Sequence, residues 1–223
     1  MKTFGWTMRG MGWVGSLLLA AATAQAAPDA AKYTVSSASG TVSVQGASAR
    51  KSLSAGDELS KGETVVTAKS STADITLDVG GTRISSIQVW ELSTYTVGET
   101  SVQSAGNSDA VKATAKLESG SISGSFSAKS SDSSLKLEAG QAKVPTSAEV
   151  KPSTSFLVRG DGTVYCYNGQ IAVNWGGKDI QLLTGQVFLP ASGTVVPHNL
   201  PSPFAVVSTP FVQVVSPTQA GGR

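Results

Sequence analysis

The chain has 223 residues, with 17 basic and 15 acidic side chains, one cysteine and one histidine. Cys166 alone excludes an internal disulfide, and Cys166 with His198 cannot assemble the usual nitrogen–sulfur set for zinc. No basic stripe points to nucleic acid or an anionic membrane surface as partner, and no cofactor motif is present.

Residues 1–26 have the features of a secretory leader. Lys2 and Arg9 precede the apolar run "WVGSLLLAAATA", and Ala24-Gln25-Ala26 fits a small-x-small cleavage site between Ala26 and Ala27. The run is about a dozen residues, short of the roughly 20 that a spanning helix needs, so an uncleaved anchor is the lesser alternative. Removing Lys2 and Arg9 leaves 15 basic against 15 acidic residues, a neutral chain expected outside the cytoplasm, periplasmic or secreted.

Beyond the leader, helix signals are nearly absent and apolar residues recur with a period of two. The stretch "AGDELSKGETVVT", residues 55–67, brings Asp57, Glu58 and Glu63 close together. Asp57 and Glu63 each follow a glycine where a new β run begins, so they are expected to accept local backbone hydrogen bonds in turns. In "STADITLDVGG" Ala73, Ile75, Leu77 and Val79 share one face, which predicts a half-buried strand ending at Gly80-Gly81. "GETSVQSAGNSDA", residues 98–110, is polar and is expected to connect two β halves, 33–97 and 111–189. Ile122, Gly124, Phe126 and Ala128 alternate in the same way, as do Ile171, Val173 and Trp175. Asp161-Gly162, Asn168-Gly169 and Gly176-Gly177 supply the positive φ angles that tight strand connections need. From Pro190 to Arg223, prolines interrupt the chain, which predicts an extended tail with at most edge-strand character. Within it, "FAVVSTPFVQVV" is apolar enough to dock on the body or to contact another protein.

Leu-x-x-Gly recurs at Leu53, Leu77, Leu117, Leu137 and Leu182, at intervals of 24, 40, 20 and 45 residues. Spacings near one or two multiples of 20–24 residues suit a stack of β coils. The competing explanation is that strands often end at glycine.

The residues offer little for catalysis. His198 sits in "VVPHNLPSP", a setting poorly suited to hold an imidazole for a serine triad, and is expected to be solvated. Cys166 alternates with Val164 and should fill the core. Asp74 and Asp78 share a strand face but lie about 13 Å apart at 3.3 Å per residue, beyond the roughly 5–9.5 Å of paired glycosidase carboxylates. Arg159-Gly160-Asp161 spells an adhesion tripeptide, yet its glycine and aspartate suit a turn.

The stretch "LSAGDELSKGETVVTAKSSTADITLDVGGTRISSIQV" resembles the periplasmic FecR domain. The pattern is a Gly-Asp turn (Gly56-Asp57), a Gly-acid turn (Gly62-Glu63), Val65-x-Thr67, an alternating run through Ala73, Ile75 and Leu77, then Gly81-Thr82 and Ile84. "KLESGSI", "FLVRGDGTVYCYNGQIAV" and "IQLLTGQVFL" are similar to the family's later segments, extending the resemblance over residues 40–190. Two positions depart from the pattern: Gly80-Gly81 stands for the usual Asp-Gly, and Arg159 to Thr163 stretches an Arg-Gly-Thr. The family's regulators also carry a sigma-factor-binding segment and a membrane span, so the resemblance implies fold and compartment rather than transmembrane signalling.

The expectation is therefore an all-β, FecR-like body over residues 27–189, solenoid-like, with an antiparallel sandwich as the alternative suggested by Asn168-Gly169. Its expected task is non-catalytic interaction or sensing, with an envelope protein or polysaccharide as partner. A self-associating structural protein and a polysaccharide-active enzyme are the alternatives. Trp90, Tyr95 and Trp175 are the candidate contact residues, with core packing the commoner use for Trp175.

Overall fold

The computed structural model describes residues 31–46, 50–105 and 108–199, so the leader with its Ala26–Ala27 junction and the tail from residue 200 lie outside the described residues. The described chain is all-β. It begins with β1 (Ala31–Ser39) in a first sheet and crosses to a second for β2 (Val42–Gln45) and β3 (Arg50–Ser52). It then returns for the two-residue β4 (Glu58–Leu59) and crosses again for β5 (Thr64–Thr67). Hairpins then alternate between the sheets. β6 (Thr72–Val79) and β7 (Thr82–Val89) join the first, and β8 (Thr94–Ala105) and β9 (Ser108–Ser119) the second. β10 (Ser121–Phe126) is a single strand in the first, followed by β11 (Ser134–Ala139) and β12 (Thr146–Val150) in the second. β13 (Thr154–Arg159) and β14 (Val164–Asn168) return to the first, and β15 (Gln170–Trp175) and β16 (Lys178–Leu183) to the second. β17 (Gln186–Leu189) and β18 (Thr194–Pro197) end the first sheet.

Among the described residues each sheet has nine strands, ordered β18-β17-β14-β13-β10-β7-β6-β1-β4 and β16-β15-β12-β11-β9-β8-β5-β2-β3. Neighbours are antiparallel except β9 and β11. That exception follows from β10, which crosses to the other sheet alone and delivers β11 beside β9 in the same direction. One apolar cluster runs from Tyr33 to Phe188 and draws on both sheets. The two open sheets around it fit the sandwich-like alternative, yet strand order follows chain order almost throughout.

The period-two reading locates strands well. Ala73, Ile75, Leu77 and Val79 are all buried along β6, and Ile122 and Phe126 are fully enclosed on β10. Other expectations change. Asn168-Gly169 does not make a hairpin: it is the corner at which the chain leaves the first sheet after β14 and enters the second as β15. Segment 98–110, expected as a connection, is strand at 98–105 and 108–110, the far part of the β8–β9 hairpin. β8 also pairs with β5 and β9 with β11, so this hairpin links the neighbours on either side. Thr100 and Ser101 in this stretch meet solvent on a strand rather than in a loop, which composition does not distinguish. The Leu-x-x-Gly leucines are all buried, but the glycines end strands of different kinds, hairpin at Gly80 and sheet crossing at Gly185. Residues 190–199 carry β18, an edge strand as expected of the proline-rich stretch.

Candidate interaction surface

The acidic turns of residues 55–67 share one device. The Ser54 N–H donates to the Asp57 carboxylate (2.9 Å) while the Asp57 N–H returns to the Ser54 carbonyl (3.2 Å). Three residues on from Ser60, Glu63 does the same, accepting the Ser60 N–H at 2.7 Å. The Ser54 amide, aided by Lys51, holds the Asp57 carboxyl below its usual range. Gln186 uses the device a third time, accepting the Leu183 N–H at 2.8 Å. All three close turns; for Asp57 and Glu63 residue type and spacing suggested it, while Gln186 was not singled out.

The remaining acids are spread out. An open cleft of about 690 Å³ near β1, β4 and β8 carries Glu58 and Glu99. Lys32 contacts Glu58 at 2.6 Å, and Lys61 pairs with Glu99. Lys61 holds the Glu99 carboxyl below its usual range, the opposite of what a general acid requires. Asp74 takes a hydrogen bond from Ser37, and Asp78 lies 3.6 Å from Arg83. Among the described residues no three His, Cys, Asp or Glu side chains converge as a metal set. No described helix is long and apolar enough to cross a membrane.

The three aromatic candidates fall in different settings. Tyr95 is 0% exposed on β8 and cannot touch a partner. Its hydroxyl has no hydrogen-bond partner among the described residues, and burial pushes its pKa well above the ordinary tyrosine value. Because an unmatched buried hydroxyl destabilises the fold, Tyr95→Phe should leave stability unchanged or raise it by up to about 1 kcal/mol in urea unfolding. A loss larger than that would show that the hydroxyl is matched. Trp90 is half-buried at the β7–β8 corner and donates to Ser123 Oγ at 2.8 Å. Trp175 packs edge-on against Phe188 with centroids 6.1 Å apart, and Lys178 lies 5.8 Å from its ring. Gly193 packs against the indole, where a Cβ would come within 2.7 Å of the ring. Trp175 thus continues the Ile171/Val173 face, and an apolar groove of about 530 Å³ beside Val144, Leu189 and Pro190 exposes part of it.

His198 is not loosely solvated. Its Nε2 lies 3.2 Å from the Cys166 carbonyl oxygen, and its ring meets Tyr165 and Tyr167 edge-on at 5.5 and 5.1 Å. Arg159 stacks on Tyr165 at 5.6 Å. This aromatic cluster on the outer side of β14 is not apparent from the proline-rich context of His198. Its sequence signal is Tyr165-Cys166-Tyr167, where alternation sends the tyrosines outward and the cysteine inward. Cys166 is 0% exposed, and burial pushes its thiol up to about 11, so it is held as an unreactive hydrophobe.

The sheet ends differ in how they meet solvent. β4 has two residues, and β3 is short and charged, with Arg50 and Lys51 exposed. β18 carries its own block. The His198 N–H pairs with the Gly185 carbonyl at 2.8 Å, so strand alternation turns the neighbouring Pro197 toward the outer edge, where proline has no donor. β16 is longer and contains no proline. It is joined to β15 by Gly176-Gly177, with φ of 57° and 83°, the two-residue turn whose flanking residues Trp175 and Lys178 form a bonded pair. Alternation then directs the backbone of Asp179, Gln181 and Leu183 outward. The Leu183 N–H is taken by Gln186, while its side chain is 53% exposed. No described strand pairs with that outer edge.

Comparison with protein-family models, curated proteins and solved structures returns no match.

Proposed function

We propose that this chain is a non-catalytic, exported module of the bacterial cell envelope, FecR-like in its β body, that binds an extended segment of another envelope protein along β16. The supporting observation is the contrast among the four terminal strands. β3 and β4 have two or three residues and β18 is proline-blocked, whereas the six-residue β16, charged only at its start by Lys178 and Asp179, presents outward backbone groups on Asp179 and Gln181 beside an exposed Leu183. Strand addition draws affinity from such main-chain groups and specificity from alternate side chains. It needs no titratable cluster, in keeping with acids that close turns or pair with lysines. The FecR resemblance and the leader support the envelope setting.

A photo-crosslinking residue at Leu183 in intact cells tests this reading. Adducts to a peptide segment of a second protein are expected, and Asp179→Pro, which removes an outward donor, should reduce them at least about tenfold. Adducts only to further copies of this chain would replace the reading with the self-associating structural alternative. Turnover of envelope glycans, lost on changing one or two acids, would replace it with the enzyme.

A further inference from the structure

The geometry points to the kind of segment that β16 accepts: we propose that it is an antiparallel strand with apolar residues opposite Leu182 and Ile180 and a lysine or arginine opposite Asp179. This rests on the reading of β16 as the pairing edge, and adds what that edge selects.

Three observations converge. The first is which backbone groups are on offer. Asp179 and Gln181 turn both N–H and C=O outward, whereas the Leu183 N–H is already taken by Gln186 at 2.8 Å and leaves only its carbonyl. In an antiparallel pair a residue exchanges both bonds with the residue directly opposite, so Asp179 and Gln181 each offer a complete exchange. The neighbours in both sheets are antiparallel except β9 and β11. A second copy of β16, paired about Gln181, would set Asp179 of each against Leu183 of the other and meet the missing donor twice. A different segment meets it once.

The second is the inner face. Leu182 is fully buried, whereas Ile180 is half-buried at the margin of the core. Val195 on β18, the terminal strand of the first sheet, is half-buried against the same core. An added strand would lay alternate side chains over this margin, where β-branched or aromatic residues fit best.

The third is the charge on the outer face. Asp179 is exposed and takes a hydrogen bond from Asn174 Nδ2 at 2.7 Å. Among the described residues no lysine or arginine pairs with it. Its chain neighbour Lys178 belongs to the other face, 5.8 Å from the Trp175 ring. A cation directly across from Asp179 is therefore favoured and a second acid is penalised. Gln181 and Leu183 complete the outer face without charge. Read from its N-terminus, the partner is apolar opposite Leu183 and Leu182, polar opposite Gln181, apolar opposite Ile180 and basic opposite Asp179.

Two end-blocked synthetic peptides test the proposal: Ser-Leu-Val-Thr-Val-Lys-Ser, and the same sequence with glutamate for lysine. Each is titrated into the isotopically labelled full chain and followed at the Asp179 and Gln181 amide resonances. The lysine peptide should shift both and bind at least about fivefold more tightly than the glutamate peptide at low salt, a gap that narrows as salt is added. Asp179→Lys should reverse the preference. The Ile180 and Leu182 amides, directed toward β15, should stay protected from exchange in that variant and report an intact body. Equal affinity for the two peptides, or a preference unchanged by Asp179→Lys, would overturn the proposal. So would no shift with either peptide at roughly millimolar concentration, which leaves the edge reading to its own crosslinking test. Shifts of the Asp179 and Gln181 resonances that grow with protein concentration alone would overturn it in favour of a second copy on the edge.

Discussion

Replacing Phe156 with alanine should lower the free energy of unfolding by about 3–5 kcal/mol, measured by urea denaturation. Phe156 is 0% exposed on β13, between β10 and β14. Its cross-strand partner on β10 is Gly124, which contributes no side chain. The ring fills the space over that glycine, and a Cβ at 124 would come within 2.8 Å of the Phe156 ring and 2.6 Å of the Ser86 carbonyl oxygen. Truncation at 156 therefore leaves a void with nothing opposite to relax into it. Restoring volume from the other side should fail too. Gly124→Ala should remain destabilising in the Phe156→Ala background, because the Ser86 carbonyl belongs to the β7 backbone and cannot swing away. A loss below about 1 kcal/mol for Phe156→Ala would show that the core collapses around the site.

Ser93→Ala should cost about 1–3 kcal/mol, a large effect for deleting one oxygen. Ser93 is 0% exposed at the corner where the chain leaves β7 for β8. Its Oγ accepts the Ser121 N–H at 2.9 Å, and its own hydroxyl can donate to the Ser121 carbonyl at 3.0 Å. Its N–H donates to Thr67 Oγ1 at 3.0 Å, and its carbonyl accepts the Thr67 N–H at 3.0 Å. Nearby, the Trp90 N–H donates to the Ser121 carbonyl at 3.1 Å. One serine thus joins the end of β5 and the start of β10, strands in different sheets. Alanine leaves the Ser121 amide without its acceptor in a half-buried setting. Faster exchange of the Ser121 amide should accompany the loss of stability. An effect under about 0.5 kcal/mol, with Ser121 still protected, would mean that another group takes over.

The strands of this molecule were legible because burial imposes alternation, and alternation is written in residue order. Ala73 to Val79, Ile122 to Phe126 and Ile171 to Trp175 could be placed on strands and given an inward face. Which sheet a strand joins was not legible. Asn168-Gly169 has the composition of a hairpin turn, yet only Gly169 takes the positive φ (87°) while Asn168 stays out of the left-handed region, and the chain passes to the other sheet. The turn role of Asp57 and Glu63 was readable because it is local, completed within three residues. The surface cluster around His198 was not, because its partners Tyr165 and Tyr167 lie more than 30 residues away and meet it only through β17–β18. The exposure of β16 was likewise invisible, since an edge is defined by what fails to pair beside it.

The near-monotonic strand order bears on how the molecule is made. From β5 onward, almost every incoming strand finds its neighbour already synthesised, so the fold can grow like a zip fastener as the chain emerges N-terminus first. Few segments must wait for a partner still to be made, although each return to a sheet closes a loop of some length, as from Val89 to Ile122 and from Phe126 to Thr154. Such a body can mature vectorially while its last residues are still being delivered.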